Sequence, residues 1–400
     1  MLSVADALRA VLGHVPRLAV QPVPLDEARG RVLAVDIVAT RALPGFDNSA
    51  MDGYAARSSE LPATLPITGV VAAGQPHVEP IPHHSALRIF TGAPLPADLD
   101  TVVMQEAVTL DGDRVTLPAS RPGEHIRRAG EDIAIGEPVL TAGTRLGAWD
   151  LGVLAALGVH SVPVARAPRV ALIATGDELV DVATVPGPGQ LVDSSMHALA
   201  ALVAEAGGVA HRLGIARDEL SVIGELIASA LAYDVVITTG GVSVGDRDHV
   251  HAALAHAGVT LELWKVAMKP GKPFSFGVRS APGAAVRPVF GLPGNPVSTV
   301  VAFELFLRPA LLAMQGARTI ERPRARVQLV GGHRKAAGRA HYLRAHVVRE
   351  ATHLVATPHA KQGSAMLSSL VGCNALVELA AELTEVLPGG SVPAILLEAV

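Results

Sequence analysis

The alternation of apolar and polar positions divides the chain into three textures. Near the start, Val4, Leu8, Val11, Leu12 and Val15 fall on one helical face and Ser3 stands three residues before Asp6, so an amphipathic helix with a capping box is predicted over 1–15. From 60 to 135 the apolar runs are short and β-branched: 66–72, 87–90, 100–110 and 114–117 read as strands, the last two joined by a hairpin at Asp111-Gly112-Asp113. A helix over 148–157 and a strand over 161–166 complete a half that looks like two small α+β or β modules.

At Arg169 the texture changes. Residues 170–174 form an unbroken apolar strand, and helices over 194–206 and 218–232 alternate with strands over 209–213 and 234–239. Strands alternating with helices of this length imply a parallel sheet with crossovers, whose ligands lie at the carboxyl ends of the strands. A further strand, 259–267, runs into the stiff turn Met268-Lys269-Pro270-Gly271-Lys272-Pro273; 288–290 leads into Gly291-Leu292-Pro293-Gly294-Asn295-Pro296-Val297-Ser298. There Asn295 suits the N-cap and Pro296 the first turn of a helix reaching 314. Beyond Pro323 the pattern returns to short strands, 325–330, 342–348, 353–357, 374–379 and 392–397, which read as a separate β module.

The chemistry gathers at the strand ends. Thr238-Thr239-Gly240-Gly241-Val242-Ser243-Val244-Gly245 joins a strand to a helix, and Gly240, Gly241 and Gly245 leave backbone N–H groups free to face a phosphate or oxyanion. The same rim is expected to carry Asp177, Glu178 and Asp218 and the two cations Lys269 and Lys272. Three loops poised to hold an anion argue for an extended substrate with several negative groups. Carboxylates among them call for a divalent cation, Mg2+ being the natural choice. Gly241-Val242-Ser243-Val244-Gly245 also satisfies the G-x-S-x-G elbow of α/β-hydrolases, but Gly245-Asp246-Arg247 intervene before the helix and no HGGG-type segment is present. The Walker A pattern fails because no Gly-Lys-Ser/Thr follows. A further polar loop, Pro44-Gly45-Phe46-Asp47-Asn48-Ser49-Ala50-Met51-Asp52-Gly53-Tyr54-Ala55, is dense in turn formers.

Composition narrows the field. Four hundred residues suffice for two to four domains, and 50% apolar against 18% charged residues raises the question of a membrane. The most apolar stretch, 296–314, is interrupted by Glu304, Arg308 and Pro309, so no spanning run is expected, and Asp6 and Arg9 interrupt any signal-peptide core. A single cysteine, Cys373, excludes a disulfide framework and suits a reducing cytoplasm; a net charge of −4 gives no footprint for nucleic acid. His249, His251 and His256 lack the spacing of a helical zinc pair and are expected at the surface.

Eight segments together carry a resemblance: PGFDNSAMDGYA at 44–55, TGAPLP at 91–96, RRAGEDI at 127–133, TGDEL at 175–179, TTGGVSVGDRD at 238–248, KPGKPF at 269–274, GLPGNPVS at 291–298 and QGSAMLSS at 362–369. In this order they resemble the molybdopterin molybdenumtransferase family, the molybdenum-insertion proteins that include the E domain of gephyrin. The resemblance implies a multidomain α/β and β protein: a central parallel-sheet molybdopterin-binding domain at 169–316, with the helix 1–15 packing on it; a β-rich N-terminal lobe at 45–135; a small linking domain from 16–44 and 136–168; and a β-barrel-like C-terminal domain at 317–400. It implies a cytoplasmic homodimer, its cleft shared between the α/β domain of one subunit and the N-terminal lobe of the other, with transient contact to other cofactor-biosynthesis proteins and with neither nucleic acid nor membrane as partner. Members take molybdate and adenylylated molybdopterin as substrates, require Mg2+ and release AMP.

Carried over by position, Gly240, Gly241, Ser243 and Gly245, with Pro293, Gly294 and Asn295, would hold the pterin-phosphate-nucleotide. Asp248, Asp218 and Glu178 would surround the Mg2+ and the scissile phosphoanhydride, with Lys265 beside the phosphates. Lys269, Lys272, Ser298, Arg344 and Ser364 would form the molybdate pocket, Gly271 would be a further substrate-binding residue, and Asp47 and Thr91 would be supplied across the dimer. Such a site works by charge placement and needs no protein nucleophile, since a molybdate oxygen can attack phosphorus. The sequence departs from the family at Ser195, where members commonly have Asn, and at Ala365, where Gly is frequent. Two other functions are compatible with the α/β domain: a non-catalytic pterin-binding scaffold, disfavoured by retention of Asp248, Lys269 and Lys272, and a related nucleotide-transfer or pyrophosphatase enzyme, disfavoured by the DNSAMDGYA lobe.

Overall fold

In the strand Arg169–Thr175, alternate residues serve two different cores. Val170, Leu172 and Ala174 point into one apolar cluster and Ala171 and Ile173 into another, which is why the run is apolar throughout rather than alternating. The computed structural model describes residues 1–241, 249–280, 282–283, 285–398 and 400, and within them this strand sits inside a six-stranded sheet. Four strands, Val209–Ala216, Arg169–Thr175, Val235–Thr239 and Arg287–Leu292, run parallel in that order. Ser275–Arg279 and then Val259–Trp264 extend the sheet as antiparallel neighbours, so the expected parallel sheet carries a mixed edge. Two reversals return Val259–Trp264 to the direction of the parallel strands, and its end at Trp264 reaches the same rim as Thr175, Thr239 and Leu292.

Helices cover both faces. Ser195–Glu205 contributes Met196, Leu199 and Val203 to the first core, while Leu220–Ala230 contributes Ile223 and Ile227 to the second. The N-terminal helix Val4–His14 starts at Ser3, whose hydroxyl accepts the Asp6 N–H at 3.1 Å, and buries Ala7 and Val11 in the first core. The long helical run Pro296–Gln315 corrects one sequence expectation: its mean hydropathy of 1.6 over a membrane-spanning length makes it apolar enough to cross a bilayer. Here 89% of its most apolar 18-residue window is buried inside the protein. Its charged interruptions are absorbed locally, for Glu304, 6% exposed, accepts from Arg322 Nε at 2.9 Å and Nη2 at 3.0 Å.

A second six-stranded sheet, Thr101–Met104, Gly53–Ala56, Ala86–Ile89, Ala63–Val71, Arg114–Leu117 and Thr109–Asp111 in spatial order, builds the N-terminal lobe. The strand expected over 100–110 is two, separated by a 3-10 turn at Gln105–Ala107. Between lobe and α/β domain, Val20–Pro24 pairs with Ser161–Ala165, and the helix Ala148–Ala156 packs Leu154 over Leu33 and Val164. In the C-terminal region Ala340–Glu350, His353–Pro358, Arg324–Leu329, Ser391–Leu396 and Ala375–Leu379 close into a barrel, because the first and last of these strands also pair. A sixth strand comes from outside it: Met268–Lys269 pairs with Ala340 and His341, so the α/β domain donates an edge strand to the barrel.

Glu304 sets a stability expectation. Its carboxylate is buried and doubly bonded, so Glu304→Ala removes the acceptors of Arg322 Nε and Nη2, leaves that guanidinium the Leu397 carbonyl at 2.7 Å and Glu205 at 3.6 Å, and should cost about 3 kcal/mol in urea unfolding. Replacing both partners together with apolar residues should cost clearly less.

Candidate functional site

The carboxyl ends of the parallel strands are stitched side by side. Gly240 N–H donates to the Leu292 carbonyl at 3.1 Å, Gly176 N–H to Ala216 at 3.1 Å, and the Thr175 hydroxyl to Thr239 at 3.3 Å. Gly240 takes φ +86°, and a Cβ there would stand 2.4 Å from the Thr175 carbonyl oxygen. Only glycine lets two strand ends approach this closely. The rim so formed opens a cleft of about 670 Å³ lined by Gly176, Glu178, Asp218, Gly240, Gly241, Gly294, Asn295 and, from the C-terminal region, Ala365; Ser195 also borders it. Ser243, Gly245 and Asp248 lie outside the described residues, as does the body of the G-x-S-x-G pattern.

The carboxylates cluster on one side of this cleft. Asp218 N–H donates to Asp177 Oδ1 at 3.1 Å, and desolvation followed by the neighbouring charges of Asp177 and Glu178 raises the Asp218 pKa above the ordinary carboxylate range. Among the described residues no three His, Cys, Asp or Glu converge tightly enough to hold a metal ion alone. Mg2+ does not need such a cage, since it is usually bound by one or two carboxylates while phosphate oxygens and waters complete its shell. A hard oxygen donor set with excess negative charge therefore fits it. Lys265 follows the edge strand at the same rim, in a left-handed conformation at φ 69° that a side-chain-bearing residue rarely adopts.

Next to the cleft lies a second cavity of about 690 Å³, and Asn295 borders both. Lys269, Gly271, Lys272, Pro293 and Ser298 line it from the α/β domain; Arg339, Lys361, Gln362 and Ser364 line it from the barrel. Four cations face this space and, among the described residues, no carboxylate does. Their field is felt nearby. His341, 7% exposed, is held down to about 4 by burial and then by Lys269, Lys335, His333 and Arg339, so it stays neutral and adds no fifth charge. The two walls are tied together where Asn295 Nδ2 donates to Ser364 Oγ at 3.1 Å and Val297 N–H to the Ser364 carbonyl at 3.1 Å. Asn295 is thus the N-cap by position, yet its side chain bonds across the domain boundary rather than to its own helix.

Comparison with known proteins gives this arrangement its relatives. Family descriptions match in chain order: "MoeA N-terminal region (domain I and II)" over 2–158, "Probable molybdopterin binding domain" over 171–313 and "MoeA C-terminal region (domain IV)" over 326–397. A molybdopterin molybdenumtransferase of Haemophilus influenzae is 38% identical, covering 92% of this chain and 91% of its own. The chain belongs to the molybdopterin molybdenumtransferase family. A Nostoc relative of the same name is 40% identical over 79% of this chain and 75% of its own. The crystal structure of a molybdopterin biosynthesis protein from Pyrococcus horikoshii superposes with a TM-score of 0.85 at 31% identity, covering 99% of this chain and all of that one.

Within this family member most of the expected site residues meet, with one correction. Arg344, expected to face the molybdate, is only 1% exposed and does not line the cavity. Its Nε donates to Ser369 Oγ at 3.0 Å and its Nη2 to the carbonyls of Lys361 and Gly363, each at 3.1 Å, so it buttresses the wall from behind. The arginine that reaches the cavity is Arg339. Arg339 sits on the bend just before the strand Ala340–Glu350, whereas Arg344 lies within that strand and is buried. Lys361 was also missed, lying one residue before the QGSAMLSS segment. Asp47 and Thr91 border neither cavity. Asp47 accepts from Arg128 and from Ala129 N–H at 2.8 Å, and Thr91 donates from both N–H and Oγ1 to Asp52 at 2.8 Å. His251, expected at the surface, is half-buried with Nε2 at 3.5 Å from Ser275 Oγ.

The rim geometry is open to test by substitution. Gly240→Ala combines left-handed strain with a backbone clash and should lose at least about 3 kcal/mol in denaturant unfolding. Gly74→Ala, at φ +76° with open space around its Cβ, should lose only about 1 kcal/mol.

Proposed function

We propose that this chain inserts molybdenum into molybdopterin: a Mg2+-dependent reaction of molybdate with adenylylated molybdopterin that releases AMP. The observation that carries the reading is the pair of adjoining cavities that share Asn295. One is ringed by cations and suits a tetrahedral dianion; the other has a glycine-lined rim beside carboxylates and suits a phosphoanhydride with its metal. A scaffold that only bound pterin would have no use for a second cavity of four cations.

In this reading Gly240, Gly241, Pro293 and Gly294 hold the pterin-phosphate-nucleotide against the sheet rim, and Ser243 and Gly245, outside the described residues, would bind the same substrate. Lys269, Lys272, Arg339, Ser298 and Ser364 orient molybdate so that one of its oxygens points along the shared wall toward phosphorus. That oxygen bonds to the pterin-side phosphorus as the P–O bond to AMP breaks and AMP leaves with the bridging oxygen. The Mo–O bond then breaks, leaving its oxygen on the pterin phosphate, as the two dithiolene sulfurs bond to molybdenum and a second oxygen departs as water with the two thiol protons. Lys265 stabilises the negative charge that grows on the phosphates. Glu178, Asp218 and Asp248 would hold Mg2+, which supplies neutralisation of the phosphoanhydride when bound. Burial and like charge raise the Asp218 pKa, so metal affinity should weaken as pH falls toward the carboxylate range.

The reading extends to a cytoplasmic homodimer with a composite site. Asp47 and Thr91 sit on the N-terminal lobe away from both cavities of their own subunit, so they serve this chemistry by reaching a second copy. The domain division at 1–15, 16–44 with 136–168, 45–135, 169–316 and 317–400 belongs to the same proposal.

Purified protein incubated with adenylylated molybdopterin and Mg2+ should release AMP only when molybdate is added, and Lys269→Ala should slow release by about tenfold or more at fixed molybdate. AMP release that ignores molybdate would make the chain a pyrophosphatase, and none at all would leave a scaffold. A mixing test addresses the composite site. Asp47→Ala and Lys269→Ala, each slowed about tenfold or more alone, should rise to about a quarter of wild-type activity when subunits are exchanged, because half the dimers then carry one intact cleft. No recovery after demonstrated exchange would place both groups in one subunit's site.

A further inference from the structure

Lys361 differs from the other cations of the anion cavity in where it stands and how it is held. It is exposed at the mouth, on a turn outside the motifs that carry the family resemblance. Lysine side chains in such turns usually wander, but this backbone is clamped. Arg344 Nη2 donates to the Lys361 carbonyl at 3.1 Å, and the Lys361 N–H donates to His359 Nδ1 at 3.0 Å. Gln362 Nε2 adds bonds to the carbonyls of Arg344 at 2.9 Å and His359 at 2.8 Å. The buried guanidinium thus fixes the root of an exposed ammonium over the cavity, and no lining carboxylate among the described residues offsets its charge.

We propose that Lys361 is a specificity-determining residue that selects the doubly charged oxyanion by charge as it approaches the cavity. This rests on the reading of the cavity as the molybdate site. The physical basis is that shape cannot separate tetrahedral oxyanions of similar size, whereas Coulomb energy scales with ligand charge. A cation at the mouth contributes twice as much free energy to a dianion as to a monoanion of the same form. Removing it should therefore weaken dianion binding by the square of the factor lost for the monoanion. Because the group is exposed, its effect travels through water and should be damped by salt over a Debye length of about 10 Å at 0.1 M.

The experiment measures molybdate and perrhenate binding by equilibrium dialysis to the intact wild type, Lys361→Gln and Lys361→Arg, at about 20 mM and about 200 mM salt. Perrhenate is the tetrahedral monoanion of matching shape. In low salt, Lys361→Gln should weaken perrhenate about threefold and molybdate about ninefold, with both losses shrinking in high salt. Lys361→Arg should restore the wild-type ratio, which loss of loop structure alone would not allow. In the AMP-release assay the substitution should raise KM for molybdate and leave kcat within about twofold, as expected for a charge that acts on approach. Equal losses for the two ions, or losses indifferent to salt, would overturn the proposal. Lys269→Ala separates the two levels: if it abolishes molybdate binding while Lys361→Gln shows no charge dependence, the cavity stands and the selector falls. If neither substitution alters binding, the cavity reading falls as well.

Discussion

Four like charges around one cavity repel each other, and the fold must hold them in place before any anion arrives. Lys269 and Lys272 come from one domain, Arg339 and Lys361 from another. What keeps them together is the short strand Met268–Lys269, which leaves the α/β sheet and pairs with Ala340 and His341 at the barrel. Asn295 and Val297 add two bonds to Ser364 from the opposite wall. Backbone pairing at Lys269 and the Asn295–Ser364 contact bring the roots of the four cations to one cavity, so their charges repel wherever the side chains extend into it. The repulsion is then relieved when an anion binds, which is how a preorganised site gains affinity without reorganising.

The same constraint explains the neutral histidine. His341 is next to Lys269 in the ladder and buried, and a charged imidazole there would add to the repulsion. Arg344 meets the problem differently: it stays buried and gives its donors to loop carbonyls and Ser369, so its charge is spent on the wall rather than in the cavity. Two arginines five residues apart thus have separate duties, one facing the ligand and one supporting the turn that faces it.

Much of this was legible from the residues. The unbroken run at 170–174 announced a strand covered on both faces, the Ser3 and Asp6 spacing announced a capped helix, and glycine at 240 announced a crowded strand-to-loop junction. These are local signals, set by periodicity, capping and backbone sterics. What stayed hidden depends on packing between distant segments. Lys269 looked like part of a turn because its strand partner lies in the barrel. The break at Gln105–Ala107 falls on the polar pair Gln105-Glu106, which interrupts the apolar run and is the local signal that a single strand over 100–110 overlooks. The choice between Arg339 and Arg344 turned on where the strand Ala340–Glu350 begins and which of its residues the barrel buries, and Lys361 had only its neighbour's motif to recommend it. Glu304, Arg308 and Pro309 interrupt the apolar run Pro296–Gln315 in the sequence, whereas the fold buries Glu304 by pairing it with Arg322.

The attachment of the N-terminal helix has a temporal consequence. Leu2 bridges to Val266, and Ala267 N–H donates to the Leu2 carbonyl, immediately beside the strand that carries Lys269. The helix therefore docks on a surface that leaves the ribosome roughly 260 residues later, and its Ala7 and Val11 stay exposed or loosely held through most of synthesis. The α/β sheet must assemble before that helix can seal it. The strand that carries Lys269 is thus held between partners made far apart in synthesis, Leu2 long before it and Ala340 after it.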